Sequence, residues 1–170
     1  MATPRTARPR PARRRLNDDT AERISAGCYG ALVAASTLVG AGDADLGHLA
    51  LLVLLTNVIY YATHVFAYTI GDRGPADSSP WQAALHHLKV SAPIVSAAFA
   101  PLLFIVLLAS LGVELQQAVL GGVMVALLFL VGVATTGAHL RRLHPIAVVL
   151  TAVLTVIISL ALVLAKLSLH

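Results

Sequence analysis

The chain has 170 residues, 58% of them hydrophobic and 12% charged, with a mean hydropathy of +0.82. A soluble domain of this length carries roughly 25% charged residues, so this chain has too few to cover a water-facing surface. An ordinary soluble enzyme and a disordered chain are both excluded. The one cysteine, Cys28, leaves no disulfide framework and no cysteine-based zinc or iron–sulfur site to expect.

The net charge of +4 and pI near 9.7 resemble a nucleic-acid-binding balance until the charges are located. Seven of the twelve basic residues (Arg5, Arg8, Arg10, Arg13, Arg14, Arg15 and Arg23) precede the first apolar segment. No aromatic residue lies among the tail arginines to stack on bases, so no nucleic-acid partner is expected.

Residues 1–16 contain only Arg, Pro, Ala, Thr, Met and Leu, a composition that buries no apolar area. Residues 1–20 therefore read as a disordered cytoplasmic tail, and 21–170 as an all-α, polytopic membrane domain. Asn17, Asp18, Asp19 and Thr20 are candidate helix caps, and Glu22 adds an acid to the first turn. Five transmembrane helices are expected, at about 24–41, 46–70, 91–111, 116–138 and 146–167, each near the roughly 20 residues that cross the hydrocarbon. Between the second and third, Trp81 to Lys89 reads as an interfacial turn or short helix, with Trp81 at headgroup depth.

Loop charges orient these spans. The tail, the 71–90 connection (Arg73, Lys89) and the 139–145 turn (Arg141, Arg142) are basic. The other two connections carry Asp43, Asp45 and Glu114 and no Lys or Arg. The positive-inside rule then puts the N-terminus in the cytoplasm and the C-terminus outside, with Lys166 snorkelling at the outer face. The tail arginines Arg13, Arg14 and Arg15 are expected to hold anionic lipid headgroups. A cleaved signal core over 24–41 is an alternative, opposed by Asp18, Asp19 and Glu22, which stand where a signal carries positive charge. Ser25-Ala26-Gly27-Cys28 has no preceding apolar stretch and is not a lipidation site.

The second span carries a polar seam. At 100° per residue, Asn57, Tyr60, Tyr61, His64 and Tyr68 share an arc of about 100°, opposite Leu55, Val58, Ile59, Ala62 and Phe66. His64 lies about six residues from the cytoplasmic end, roughly 9 Å deep. In a bilayer such polar faces turn toward other helices or water. The small-residue ridge Ala26/Gly30/Ala34, the Gly132/Thr136 pair and the stripe Thr151/Thr155/Ser159 read as helix-packing surfaces. Pro101 reads as a structural kink in the third span, with Pro93 near that span's start.

Of the seven histidines, His64, His86, His87, His139 and His144 map to the cytoplasmic half or interface, and His48 and His170 to the outside. His86, His87, His139 and His144 read as wet interfacial imidazoles. His64, deeper and on a polar face, is either a relay residue or a hydrogen-bonded packing residue. His64 and His139 are the one pair suited to ligating a haem between facing helices, but no metal-ligand spacing occurs and no cofactor is expected. Nor is there a phosphate loop or a Ser/His/Asp set for nucleophilic attack, so an enzyme is not expected. No acidic residue falls within a predicted span.

Tyr60-Tyr61-Ala62-Thr63-His64-Val65-Phe66-Ala67, with Ala100-Pro101-Leu102-Leu103 and the ending Lys166-Leu167-Ser168-Leu169-His170, resembles a group of small actinobacterial integral membrane proteins of unknown function. The likeness covers roughly residues 50–170. Where that group often carries an acid after the aromatic-Ala pair, this chain has Tyr68. The resemblance implies a multi-pass protein of a bacterial inner membrane. Three functions remain open: passage of a small permeant (proton or cation) along the seam; a non-catalytic accessory subunit or scaffold, either as a homo-oligomer or with another membrane protein; and, behind these, a haem-binding redox protein.

Overall fold

The computed structural model describes residues 18–42, 44–71 and 80–140, and scattered helical positions between 146 and 168. Five helices are defined in chain order: α1 (Asp18–Gly40), α2 (Leu46–Gly71), α3 (Pro80–Ser91), α4 (Pro93–Ser110) and α5 (Leu115–Leu140). Among the described residues there is no strand. Three segments are long and apolar enough to cross a membrane: Leu46–Gly71, Trp81–Ser110 and Leu115–Leu140. They match the second, third and fourth predicted spans. The fifth predicted span and Arg13, Arg14 and Arg15 lie outside the described residues.

α1 begins three residues before the expected domain boundary, because Asp18 and Asp19 form its acidic first turn, where carboxylates favour the positive end of the helix dipole. It is not one of the three strongly apolar segments. Its composition suits a different place: α1 packs on all four other helices. Ala26, Gly30 and Ala34 are buried along its length, as the small-residue ridge predicts. A Cβ at Gly30 would stand 2.7 Å from Ile94 Cα and nearer still to the Ile94 carbonyl oxygen, so only glycine lets α1 and α4 meet backbone to backbone.

The ends of the helices follow from their capping chemistry. Asp45 Oδ1 accepts from the backbone N–H of Gly47 at 2.9 Å and of His48 at 3.1 Å, capping the start of α2. α4 is closed two residues past Ser110 by Gly112 at φ +80°, where Val113 N–H donates to Leu108 O and Gly112 N–H to Ala109 O, both at 3.1 Å. That pair of bonds closes the last turn with a residue only glycine adopts readily. Pro93 opens α4 as its first residue, and Pro101 lies within it while the helix continues on both sides. Ala92 between α3 and α4 keeps helical angles, φ −49° and ψ −32°, so the two helices run on almost without a break.

Two ends of the bundle differ in character. The far end holds the α1–α2 and α4–α5 connections. Its core is apolar throughout and draws on four helices: Leu38 and Val39 of α1, Leu49 and Val53 of α2, Leu102 and Ile105 of α4, Val119, Val123 and Leu127 of α5. The near end, where α1 begins and α2 finishes, holds the polar side chains.

Candidate functional site

The five seam residues of α2 are separated by the packing of α1 and α3 against that helix. Asn57 is fully buried, and Tyr61 and His64 are half-buried. Tyr60 and Tyr68 remain 41% and 42% exposed. Tyr60 stands at one edge, its ring 5.6 Å from that of Tyr29 on α1. Tyr61 stands at the other, its hydroxyl donating to the Leu88 carbonyl of α3 at 3.0 Å. The opposite side of α2, including Leu55, Val58, Ile59 and Phe66, is exposed, as the helical period requires.

The near end brings three helices together. The Tyr68 ring lies between two imidazoles, 4.5 Å from His64 one turn earlier on α2 and 5.5 Å from His87 on α3. His87 Nδ1 is 3.3 Å from Glu22 Oε1 of α1. Beside that pair, His86 Nε2 is 3.4 Å from Asp19 Oδ1, and the two imidazoles stand edge to face at 5.4 Å. The exposures differ: Asp19 and His86 are about half exposed, whereas Glu22 and His87 are largely enclosed.

This corrects one expectation and extends another. His87 is not a wet interfacial imidazole but is 7% exposed, because α3 turns it toward α1. Glu22, expected as an acid of the first turn, lies inside α1 and adds a carboxylate beside the predicted spans, which carry none. The sequence held a signal for both. Asp19 and Glu22 are spaced i, i+3 and so share a face of α1, and two adjacent histidines were assigned to the same leaflet. Nothing in the sequence paired them, since 65 residues separate Glu22 from His87.

Deeper in the bundle the seam narrows to neutral oxygens. One turn beyond the Tyr61–Leu88 bond, toward the far end, lie Asn57 on α2 and Ser91 at the end of α3, both fully buried. Asn57 Nδ2 donates to Val53 O at 2.9 Å, which fixes the amide and turns Oδ1 away from its own helix. Asn57 Oδ1, Ser91 Oγ and His64 Nε2 are buried without a hydrogen-bond partner. Buried polar atoms of this kind cost roughly 1–3 kcal/mol each unless something satisfies them. Beyond Asn57 the next inward residue of α2 is Val53, part of the dry apolar core.

No family model, curated protein or solved structure matches this chain. The site's meaning therefore rests on its own chemistry.

The described residues do not bring the expected haem-ligand pair together. α5 packs on α1 and α4 and has no comparable contact with α2, so His64 and His139 do not face each other across a helix pair; His139 is exposed near the end of α5. Among the described residues no three His, Cys, Asp or Glu side chains converge as ligands. His144 lies outside the described residues. The packing ridge expected at Gly132 is also absent there: Gly132 is exposed, with open space where a Cβ would stand.

Proposed function

We propose that this chain is a non-enzymatic, integral protein of a bacterial inner membrane, crossing it five times with its N-terminus in the cytoplasm. Its near-end cluster takes up protons from the cytoplasmic side and feeds them to the seam of α2. The observation that carries this reading is the unbroken sequence of neighbours Glu22, His87, Tyr68 and His64, ending in a buried imidazole nitrogen without a partner.

Each group suits the role. Half-exposed Asp19 and His86 meet solvent first. An imidazole accepts a proton at one nitrogen and releases one from the other, and titrates near neutral pH. The enclosed Glu22 carboxylate lies 3.3 Å from His87 Nδ1 and offers that ring a hydrogen-bond acceptor. His87, Tyr68 and His64 are adjacent rings, so a bridging water carries the proton between them. Asn57 and Ser91 offer the next oxygens inward, where ordered water binds such groups. The cluster also favours a proton over a metal cation, since the seam beyond Glu22 contains no anionic ligand. Passage to the far side needs α1, α2 and α4 to separate around Val53, Leu38 and Ile105.

Proton flux into liposomes reconstituted with the pure protein, driven by a pH gradient, tests this. The native chain carries flux above empty vesicles, His64→Ala falls to the empty-vesicle level, and Phe66→Leu on the lipid-facing side keeps it. No flux above empty vesicles under any gradient contradicts the proposal.

A second reading, a membrane-embedded accessory subunit, is supported by the exposed Gly132 on α5. There Thr136 Oγ1 is turned inward onto the Gly132 carbonyl at 2.7 Å, leaving a smooth surface of the kind that docks another helix. A stoichiometric membrane partner that is lost on Gly132→Leu favours it. In either reading the tail residues Arg13, Arg14 and Arg15 lie against anionic headgroups of the cytoplasmic leaflet.

A further inference from the structure

Two cations stand apart from the proton cluster. Arg23 lies one turn beyond Asp19 on the same stripe of α1, and Lys89 one turn beyond His86 on the same stripe of α3. Asp19 Oδ1 and His86 Nε2 are 3.4 Å apart between these helices, so the two stripes run side by side from that contact. The two helices run in the same direction: Asp19 is level with His86, and a Cβ at Gly27 would sit 3.8 Å from Pro93 Cβ. Counting between those points places Arg23 level with Lys89. Both are exposed, and neither pairs with a carboxylate among the described residues.

Depth agrees from two independent counts. Trp81–Ser110 is a 30-residue apolar segment, about 45 Å long at 1.5 Å per residue and about 15 Å more than the hydrocarbon requires. With Ser110 at the far boundary, the hydrocarbon ends about 20 residues earlier, near Ser91. With Gly40 at the far boundary, the same length of α1 ends near Ala21. Arg23 and Lys89 therefore both fall at the boundary between acyl chains and headgroups. Above Lys89 the exposed positions are first small, Ala92 and Ser96, and then apolar, Phe99 and Leu103, a surface that suits an acyl chain along α4.

We propose that Arg23 and Lys89 together hold the phosphate of one anionic phospholipid of the cytoplasmic leaflet. The half-exposed Asp19 and His86, one turn nearer the cytoplasm, receive the hydroxyls of its glycerol-type headgroup. Two cations converging on one phosphate bind an anionic lipid over a zwitterionic one, whose own ammonium group meets the same positive charge. The site rests on the chain's being in a membrane and not on its moving protons.

The chain's single tryptophan provides the readout. Trp81 is 68% exposed and lies eight residues, about 12 Å, along α3 from Lys89, well within energy-transfer range of a bound lipid. Full-length protein is placed in phosphatidylcholine nanodiscs containing a minority of phosphatidylglycerol or phosphatidylcholine with a dansyl group on the acyl chain. The native chain gives clearly greater transfer to the phosphatidylglycerol probe, corresponding to about thirtyfold local enrichment for two surface cations. R23Q/K89Q abolishes the preference, R23K/K89R keeps it, and the tail variant R13Q/R14Q/R15Q keeps it. Equal transfer to both probes in the native chain overturns the proposal, as does a preference that survives R23Q/K89Q or disappears in the tail variant. Retained proton flux in R23Q/K89Q separates this site from the relay.

Discussion

At the residue scale, His64 and Asp45 illustrate how a neighbour decides what a polar side chain does. His64 is distinguished by the side chains sharing its helix face, and that face was legible because the 3.6-residue period assigns faces without knowing the fold. What lies beyond it was not legible: His64 meets Tyr68 of its own helix, while the His87 imidazole against Tyr68 and the Glu22 carboxylate against His87 arrive from α3 and α1. Asp45 is the opposite case, a wholly local device. Its carboxyl is held below the usual carboxylate range, first by the His48 side chain and then by the backbone N–H groups it caps. A carboxyl lowered in the folded state contributes stability above its ordinary value near 3.9 and loses it as pH falls through the lower, folded value. Asp45→Ala should therefore unfold at lower temperature than the native chain at pH 7, with the difference closing as the acid end is approached. Asp45→Asn, which still caps but carries no charge, should fall between the two. Thermal unfolding followed by circular dichroism in mild detergent checks both, and an unchanged gap at low pH contradicts the assignment.

Helices, taken as elements, were read most reliably where hydropathy decides. α2, α4 and α5 fall within a few residues of the predicted second, third and fourth spans. α1 was legible as a small-residue ridge but not as the central helix, because hydropathy measures what lipid tolerates and α1 is surrounded by protein. Two glycines separate these meanings. Gly30 meets the Ile94 backbone, which has no flexible end to move aside, whereas Gly132 faces open space. Gly30→Ala should push α1 from α4 and destabilise the bundle by about 1–3 kcal/mol, the usual cost of overpacking. Gly132→Ala should be neutral or slightly stabilising, as alanine is the better helix former. Unfolding midpoints of the two variants measured side by side test the contrast. Equal midpoints would mean that α1 and α4 do not approach at Gly30.

For the whole molecule, the main feature is asymmetry along the bundle axis. The enclosed titratable groups gather at the end where α1 begins, and the core of the opposite end is closed by Leu38, Val53, Ile105 and their neighbours. The sequence conveyed part of this, since loop charges already separated a basic side from an acidic one. It did not convey that the seam stops at Asn57, because α2 carries polar residues up to that point and only the convergence of four helices makes Val53 a plug. The proposed path is thus open at one end of the bundle and shut at the other. Thiol accessibility tests that most directly. Because Cys28 is the one cysteine, a Cys28→Ser background accepts single probes: Tyr68→Cys, Asn57→Cys, Val53→Cys and, at the far end, His48→Cys. In vesicles of known orientation, an impermeant maleimide applied from the cytoplasmic side should label position 68 readily, 57 slowly and 53 not at all, while applied from outside it should label only position 48. Labelling of position 68 from outside, or of position 53 as fast as 68 from the cytoplasm, would contradict it.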